Sequence, residues 1–264
     1  MNNPNARWWE GALRGTPLQV KDGRTYFTDV PADVAVDTQG KAPQSSWSNM
    51  RQHHYQWLKK MLRAVPNNSR IVDVGCGPGQ FTDLIENHDC CGIDFYPYQN
   101  VNLVADISKT IPLKDNSADI AILSNVLEHV YDFQILLREV HRVLRPGGSI
   151  LIVVPFMIKL HQLPYDFFRY TCHALERIGA EAGFSDIQVD ALGNFFDVWD
   201  IDQRIRTRII LREATGWRRF MARMLMWAER KSDFILHKLL PSSVIEAPDA
   251  DGFPQSYGMI GRKS

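Results

Sequence analysis

The feature that most constrains the fold is a short apolar run that ends in three closely spaced glycines. Residues 71–74 (IVDV) are typical of a buried strand in a parallel sheet. Glycines follow at positions 75, 77 and 79, and a helix-like pattern begins at Gln80. Glycine has no Cβ, so the backbone of such a loop can turn tightly and approach a ligand closely. The segment predicts a strand, a glycine loop and a helix over residues 79–87, a unit that holds nucleotide-like cofactors in α/β sheets.

The glycine spacing distinguishes between cofactors. The dinucleotide fingerprint is G-x-G-x-x-G, whereas here the third glycine comes one residue early and Gln80 takes its place. Asp73 lies two residues before the first glycine. Its carboxylate would repel a pyrophosphate but suits a ligand with cationic and hydroxyl groups, such as the amino acid end of S-adenosylmethionine. A nicotinamide dehydrogenase is therefore the disfavoured alternative.

Residues 73–79 (DVGCGPG) match, position for position, the acid-x-Gly-x-Gly-x-Gly motif of the class I S-adenosylmethionine-dependent methyltransferases, and the chain resembles that family. Asp94 ends a second apolar segment nineteen residues after Gly75, about the spacing at which a carboxylate reaches the ribose hydroxyls of an adenosine. The stretches 111–119 and 136–148 also resemble segments of the family in the same order. The resemblance covers roughly residues 69–190.

The resemblance implies S-adenosylmethionine as the cofactor and a set of residues that bind it. Asp94 would hold the ribose, Asp106 the adenine amino group, and the apolar neighbour of Asp106 the adenine ring. The alternative for Asp106 is that it caps the following turn. The complete predicted set is Asp73, Gly75, Cys76, Gly77, Gly79, Asp94, Phe95, Asp106, Ile107, Ser124, Asn125 and His129.

The predicted fold is α/β: a Rossmann-like, doubly wound, mostly parallel seven-stranded sheet with an antiparallel last strand and a helical insertion before that strand. We expect an irregular N-terminal arm over residues 1–44, with a short hairpin around 21–24, and a methyltransferase domain over 45–264. The predicted segments of that domain are a helix at 46–65 that covers the cofactor, a core at 69–191, an insertion at about 195–250 and a last strand at about 256–261. Asp132 is predicted to cap a helix that ends before 145–148.

The insertion is basic and amphipathic. Residues 202–238 hold ten Lys and Arg against four Asp and Glu, a net charge of +6. At helical spacing one face collects apolar residues, with Arg219, Arg223 and Arg230 opposite; the apolar residues are Trp217, Phe220, Met221, Met224, Trp227 and Ala228. Three roles stay open: a lid packed on the domain, contact with an anionic membrane, or binding of an anionic or lipid-linked acceptor. No RNA-binding module is visible, which disfavours nucleic acid.

The loop after strand five carries the candidate catalytic residues. Residues 161–171 (HQLPYDFFRYT) resemble a stretch found in a subset of these methyltransferases. His161 can accept a proton from an acceptor hydroxyl or amine, Tyr165 and Asp166 can orient that acceptor, and Arg169 can bind an anionic group on it. The competing structural interpretation is that Asp166 and Arg169 pair to hold the loop.

The Glu128-His129 pair raises the question of a metal. Some ubiquinone-pathway O-methyltransferases that the chain resembles bind a divalent cation through a nearby acid and a Glu-His pair. Asn125 stands where their first carboxylate would be, so no metal is expected. The alternative for Glu128 is an acid favoured at a helix start.

Composition sets the remaining bounds. The chain has 30 basic residues (Lys and Arg) and 30 acidic residues (Asp and Glu), so its net charge does not indicate nucleic acid binding. Its four cysteines lack zinc-type pairing and fit a reducing environment. The first ten residues lack the apolar core of a signal peptide, and no apolar run reaches the ~18 residues of a membrane span.

We expect a cytoplasmic enzyme, with the inner face of the membrane as a docking option. It would methylate a hydroxyl or amine of a small metabolite or a lipid or glycan precursor; the alternative is a non-catalytic regulatory or membrane-surface adaptor. Acceptor and oligomeric state are left open.

Overall fold

The computed structural model describes residues 7–30, 47–241 and 252–264. The strands are β1 Gln19–Lys21, β2 Arg24–Tyr26, β3 Arg70–Val74, β4 Asp89–Asp94, β5 Leu103–Val104, β6 Ala118–Ser124, β7 Leu144–Pro155, β8 Phe184–Leu192 and β9 Ser256–Lys263. The helices are α1 Asn49–Leu62, α2 Phe133–Val143, α3 Cys172–Glu181, α4 Phe195–Glu213 and α5 Gly216–Leu239.

The nine strands of the described ranges form one sheet in the order β1-β2-β5-β4-β3-β6-β7-β9-β8. The pairs from β2 to β7 are parallel, whereas β9 runs antiparallel to both β7 and β8. The predicted doubly wound, mostly parallel sheet with an antiparallel last strand is therefore confirmed, but the described sheet has nine strands instead of the predicted seven, because β1 and β2 extend it beyond β5. The strand order reverses at β3, between β4 and β6, and ligands of such sheets bind outside the carboxyl ends of the strands at this point.

Successive side chains of a strand point to opposite faces of the sheet. Apolar residues occur on both faces of the central strands, so helices pack on each face. On β3, Ile71 belongs to a cluster with Trp57 and Leu58 of α1. Val72 and Val74 belong to the larger cluster on the other face, which includes buried residues of α2 and α3. This arrangement places α1 directly over the β3 edge where the glycine loop begins.

The predicted helix over 79–87 is wrong. A single 3-10 turn, Thr82–Leu84, follows the glycine loop, and β4 starts at Asp89. The backbone bonds Leu84 N–H to Phe81 O, Ile85 N–H to Thr82 O and His88 N–H to Ile85 O each close a three-residue turn instead of a continuous α-helix. Ile85 is buried under α1. Packing of this short connection against α1 has replaced the helix that its pattern indicates.

Residues 7–30 are more ordered than the predicted irregular arm. The expected hairpin is present as β1 and β2, with Asp22 and Gly23 at positive φ in the turn, and β2 then extends the sheet by pairing with β5. Trp9 is buried in the main core, and Trp8 Nε1 donates to the Asp89 carbonyl at 2.8 Å. Since residues 31–46 lie outside the described part, the domain boundary at residue 44 stays a prediction.

The insertion is helical as predicted and consists of α4 and α5. Asn194 and Asp197 form a capping box at the start of α4. At the start of α2, Asp132 occupies the N-cap position, but its side chain makes no capping hydrogen bond. Among the described residues, no helix combines the length and the apolar character needed to cross a bilayer.

Candidate active site

A cavity of about 310 Å³ opens at the carboxyl ends of β3 and β6, under α1. Arg51 and Asp73 are its charged lining residues, and neither forms an ion pair within the described part of the chain. The wall also contains three buried polar atoms for which the described structure provides no hydrogen-bond partner: Gln80 Oε1, Ser124 Oγ and Asn125 Oδ1. Buried polar groups are normally satisfied, so these atoms indicate a polar ligand.

The glycine loop forms one wall of the cavity. Gly75 N–H and Cys76 N–H both donate to Ile93 O, at 2.7 and 3.1 Å, which fastens the loop across the end of β4. Gly75 has φ +71°, and a Cβ there would lie 2.5 Å from Val126 Cγ2. Gly77 has φ +51° and open space where a Cβ would be. The loop therefore needs glycine for its conformation at both positions, and at Gly77 it leaves room for a ligand.

The two predicted carboxylates meet beside this loop. Asp94 Oδ2 accepts from Gly77 N–H at 2.8 Å, and Oδ1 accepts from Tyr96 N–H at 3.0 Å. Burial raises the pKa of Asp94. Burial, and then the charge of Asp94, raise the pKa of Asp73 to about 7. An ionised Asp73 is thus costly at this buried position beside Asp94 and would be stabilised by a cationic ligand group.

The remaining predicted donor-binding residues occupy neighbouring positions. Asp106 Oδ1 accepts from Ser108 N–H and Oγ, and Oδ2 pairs with Lys109 at 2.9 Å, so the carboxylate caps the following turn. Burial opposes its ionisation, but these bonds outweigh burial and lower its pKa. Phe95 packs edge-on against Tyr96, and Ile107 packs against the main core. The roles of Asp106, Phe95 and Ile107 toward adenine stay predictions.

Several cavity residues escaped the sequence prediction. Arg51, Leu58 and Leu62 reach the cavity from α1, and Gln162 reaches it from the loop after β7. A helix over the cofactor was expected, yet its periodicity does not indicate which polar residue turns inward. His54 on the same helix is fully buried, and burial, aided by His53 and Arg51, lowers its pKa to about 3. The imidazole of His54 is therefore neutral, and it lies behind the cavity lining, 3.5 Å from Asn125 Nδ2.

The candidate catalytic loop is held by an ion pair. Both oxygens of Asp166 accept from the guanidinium of Arg169, at 2.6 and 2.8 Å, and Asp166 Oδ2 also accepts from His161 N–H at 2.8 Å. Arg169 holds the pKa of Asp166 well below its usual range. Tyr165 is largely exposed. The structure therefore contains the Asp166–Arg169 pair of the structural interpretation, and the His161 ring lies between Asp166 and Glu128.

His161 also approaches the Glu128-His129 pair. The Oε1 atom of Glu128 lies 3.6 Å from His129 Nε2 and 3.8 Å from His161 Nε2. Glu128 is fully buried, and burial raises its pKa to about 8. Burial lowers the pKa of His129. His161 and Glu128 are far apart in sequence, and only the parallel strands β6 and β7 bring their following loops together.

Comparison with known proteins agrees with this geometry. Residues 72–152 match the family model described as a methyltransferase domain. A demethylmenaquinone methyltransferase of Anoxybacillus flavithermus is 26% identical over 153 residues, which cover 49% of this chain and 65% of that protein. One from Staphylococcus aureus is 29% identical over 119 residues, covering 38% and 49%. The chain thus spans about half to two thirds of the length of these relatives.

Solved structures agree on the fold. The [4+2]-cyclase SpnF superposes with a TM-score of 0.50 at 16% identity, covering 85% of both chains. A SAM-dependent methyltransferase of Thermotoga maritima, described as a possible histamine N-methyltransferase, has a TM-score of 0.50 at 16% identity and covers 81% of this chain and 91% of its own.

Residues 72–152 thus match a methyltransferase domain, and the sheet order and the glycine-loop cavity agree with a Rossmann-like fold of this kind. The prediction of an S-adenosylmethionine-dependent methyltransferase domain, with S-adenosylmethionine as its cofactor, is confirmed. The matched residues end before α4, so the helical insertion lies outside the family model.

Proposed function

We propose that this protein transfers the methyl group of S-adenosylmethionine to a hydroxyl or amine of a small metabolite or of a lipid or glycan precursor. The observation that carries the proposal is the pair of opposite charges in the cavity, Arg51 and Asp73. The methionine end of the donor carries one carboxylate and one ammonium, and this pair is their complement. The unpartnered atoms of Gln80, Ser124 and Asn125 supply further hydrogen-bonding positions along the same wall.

Both charged residues are in an environment that favours such a ligand. Burial lowers the pKa of Arg51, so a ligand carboxylate would offset the loss of hydration of its guanidinium. Asp73 would be held in its ionised form by the ligand ammonium. Asp94, whose carboxylate is oriented by Gly77 N–H and Tyr96 N–H, is proposed to receive the ribose hydroxyls. Asp186, exposed at the other end of the sheet, is a suitable control position.

The chemistry is a displacement at the sulfonium methyl. An acceptor oxygen or nitrogen lone pair forms the new bond to carbon, the carbon–sulfur bond breaks, and S-adenosylhomocysteine leaves with the electron pair. Positioning of the two reactants supplies much of the acceleration. The acceptor proton passes to a base or to water; His161 is the predicted base, and Tyr165, Asp166 and Arg169 form the loop expected to orient the acceptor.

The names of the curated relatives support a small-molecule acceptor, since two of them are demethylmenaquinone methyltransferases. The insertion supports an acceptor or a surface that is anionic. Trp217, Phe220 and Trp227 of α5 are 73%, 64% and 59% exposed. Arg218, Arg219 and Arg223 lie on the same helix. We propose that α5 contacts an anionic membrane, with the aromatic residues inserted and the arginines at the lipid headgroups.

Calorimetry with S-adenosylmethionine tests the donor site. The wild-type chain is expected to bind, while Asp73→Asn, Arg51→Gln and Asp94→Ala should each weaken the affinity by at least tenfold without unfolding the domain. Asp186→Asn is the matched control, because Asp186 is exposed at φ +50° and Asn tolerates that conformation. Absence of binding heat at millimolar donor, from folded protein, would refute the proposal.

Transfer of a labelled methyl group into a fractionated extract of the source cell then identifies the acceptor. Labelled product in the presence of extract, and none with Asp73→Asn, would establish a methyltransferase. Donor binding without transfer to any fraction would instead support the non-catalytic alternative. Full turnover by His161→Ala would remove His161 from the base role.

A further inference from the structure

Two chain segments bring three metal-binding side chains together outside the donor cavity. Glu128 and His129 lie in the 3-10 turn Leu127–His129 that follows β6, and His161 lies in the loop after β7. One ligand atom from each, a carboxylate oxygen and two imidazole nitrogens, fit within 4.8 Å of one another. Both oxygens of Glu128 and the Nε2 atom of His129 are buried without a hydrogen-bond partner in the described part of the chain. We infer that Glu128, His129 and His161 bind one divalent transition metal ion of the Zn²⁺ type.

The protonation state of His129 follows from its other nitrogen. Nδ1 lies 2.6 Å from the carbonyl oxygen of Tyr165. Because a carbonyl only accepts hydrogen bonds, Nδ1 must carry the proton, and Nε2 then holds a lone pair directed toward Glu128. Metal-ligating histidines commonly donate their second N–H to a carbonyl or carboxylate in this way.

His161 has the corresponding arrangement with a carboxylate. Nδ1 of His161 lies 3.2 Å from Asp166 Oδ2, an oxygen that Arg169 also orients. Nδ1 makes no hydrogen bond in the described structure, but the nearby negative charge of Asp166 favours the proton on Nδ1, which leaves the lone pair on Nε2, 3.8 Å from Glu128 Oε1. Two nitrogen lone pairs therefore face a buried carboxylate oxygen, and a cation between them removes the repulsion among three acceptors.

The distances require a small adjustment only. Zinc binds imidazole nitrogen and carboxylate oxygen at about 2.0–2.2 Å, which places tetrahedral ligand atoms roughly 3.3 Å apart. The two separations from Glu128 Oε1 are 3.6 and 3.8 Å, and all three ligand atoms lie within 4.8 Å of one another, so side-chain rotations that move these atoms by roughly 0.5–1.5 Å suffice. Three protein ligands with oxygen and nitrogen donors suit Zn²⁺ and its neighbours better than Mg²⁺ or Ca²⁺.

A metal here would connect the turn after β6 to the candidate catalytic loop and leave a fourth coordination position for water or an acceptor atom. This last role rests on the proposed function; metal binding itself does not. As a ligand, His161 would not act as a free base. From the sequence, the Glu128-His129 pair raised the question of a metal, but none was expected because Asn125 replaces the first carboxylate; the third ligand, His161, comes from a distant loop.

The alternative occupant of the cluster is a proton. A protonated Glu128 would donate to one histidine and remove the repulsion without a metal. Titration with Zn²⁺ distinguishes the two cases, because a cluster that is already stabilised by a proton would bind added Zn²⁺ only weakly.

The test is titration of the chelator-stripped full chain with Zn²⁺, by calorimetry with a competing chelator and by metal analysis after gel filtration, in the absence of methyl donor. We expect one equivalent to bind, with the affinity reduced at least tenfold by Glu128→Gln and by His161→Gln. Asp166→Asn, which disturbs the residue that orients His161, should reduce it by roughly tenfold or more. His173→Gln is the matched control, because His173 is exposed beside Glu176 and should leave binding unchanged.

Three further measurements complete the test: circular dichroism, Co²⁺ absorption and donor calorimetry. Circular dichroism checks that each variant is folded. If a substitution unfolds the chain, the absorption spectrum of Co²⁺ bound to the wild-type protein is measured instead of metal binding by that variant. Histidine and carboxylate ligation without a thiolate charge-transfer band supports the site, whereas a thiolate band places the ion at the cysteines and overturns it. Binding of no equivalent, or binding that survives both Glu128→Gln and His161→Gln, also overturns it. Donor calorimetry on the stripped protein separates this outcome from failure of the proposed function.

Discussion

Asp73 and Glu128 are two buried carboxyl groups at the same edge of the sheet, and their surroundings assign them different partners. Asp73 lines a cavity that also contains Arg51, and its pKa is raised to about 7. Glu128 faces two imidazole nitrogens. A single charged residue in an apolar segment is ambiguous in sequence, because its chemistry depends on which groups the fold places opposite it.

The pKa of Asp73 predicts a pH dependence of donor binding. Burial and then Asp94 raise this pKa to about 7, so Asp73 is mostly protonated at pH 5.5 and mostly ionised at pH 7.5. Since the donor ammonium favours the ionised form, affinity should fall by roughly tenfold or more as the pH is lowered across this window. Calorimetry at several pH values measures it.

Asp73→Asn provides the control for that dependence. The variant should bind the donor weakly at every pH and lose most of the change between pH 5.5 and 7.5. A wild-type affinity that stays constant across the window would show that Asp73 does not titrate against the donor.

At the scale of elements, helix α1 links the cavity to the last strand. Trp57 of α1 lies against Gly258 of β9, where a Cβ would be 2.5 Å from Trp57 Cε2, and Trp57 Nε1 donates to Asp190 Oδ2 of β8 at 2.8 Å. The same helix carries Arg51 into the cavity. The position of Arg51 therefore depends on close packing against strands at the far end of the chain.

Gly258→Ala should displace α1, because the indole ring cannot move without losing its bond to Asp190. We expect a loss of about 1–3 kcal/mol in the free energy of unfolding, together with weaker donor binding. Urea denaturation and calorimetry measure the two effects. Gly11→Ala is the control, since a Cβ there meets no atom within 4 Å; equal effects from both variants would contradict the packing argument.

A second prediction at this scale concerns the candidate catalytic loop. Asp166 is fully covered, and Arg169 bonds to both its oxygens. Arg169→Met should leave this carboxylate without its cation and cost about 2 kcal/mol, less than a fully buried pair because Arg169 is partly exposed. Denaturant unfolding measures the loss. Arg177→Met removes the exposed pair with Glu181 and should not shift the unfolding midpoint; an equal shift in both variants would refute the loop-holding role.

At the scale of the whole molecule, the insertion contributes an exposed aromatic and basic surface next to an otherwise conventional sheet. Helices α4 and α5 contact each other, and Arg206 pairs with Asp202 of its own helix and with Glu229 of α5. The apolar residues of α5 stay exposed in this arrangement. In the described structure the insertion is thus a helical pair with one unpartnered face, which disfavours the packed-lid interpretation of the sequence.

Co-sedimentation with liposomes tests the proposed membrane contact. The wild-type chain should bind vesicles that contain anionic lipid, and Arg219→Glu with Arg223→Glu should reduce the bound fraction at least severalfold, because the reversed charges repel the headgroups. Donor affinity should be unchanged, as these residues lie outside the cavity lining. Equal binding to neutral and anionic vesicles would contradict the electrostatic part, and no binding to either would refute membrane contact.

Much of the fold was predictable because its signals are local. The IVDV strand, the glycine loop and Asp94 follow one another within a short stretch, and the strands from β3 to β9 occur where apolar runs indicate them. The 79–87 helix was wrong because tertiary packing against α1 outweighed a weak local pattern. The hairpin of the arm was predicted, but its place in the sheet was not, because β2 pairs with β5, which is distant in the chain.

The sequence by itself determined the fold class, the donor loop and the identity of its two carboxylates, since each depends on residue types at short, regular spacing. Only the tertiary structure decided that Arg51 and Asp73 line the same cavity and that His161 meets Glu128 and His129. These residues are distant in the chain, and parallel strands bring the loops at their carboxyl ends to one edge of the sheet. Burial at that edge, which no sequence pattern measures, is what raises the pKa values of Asp73 and Glu128.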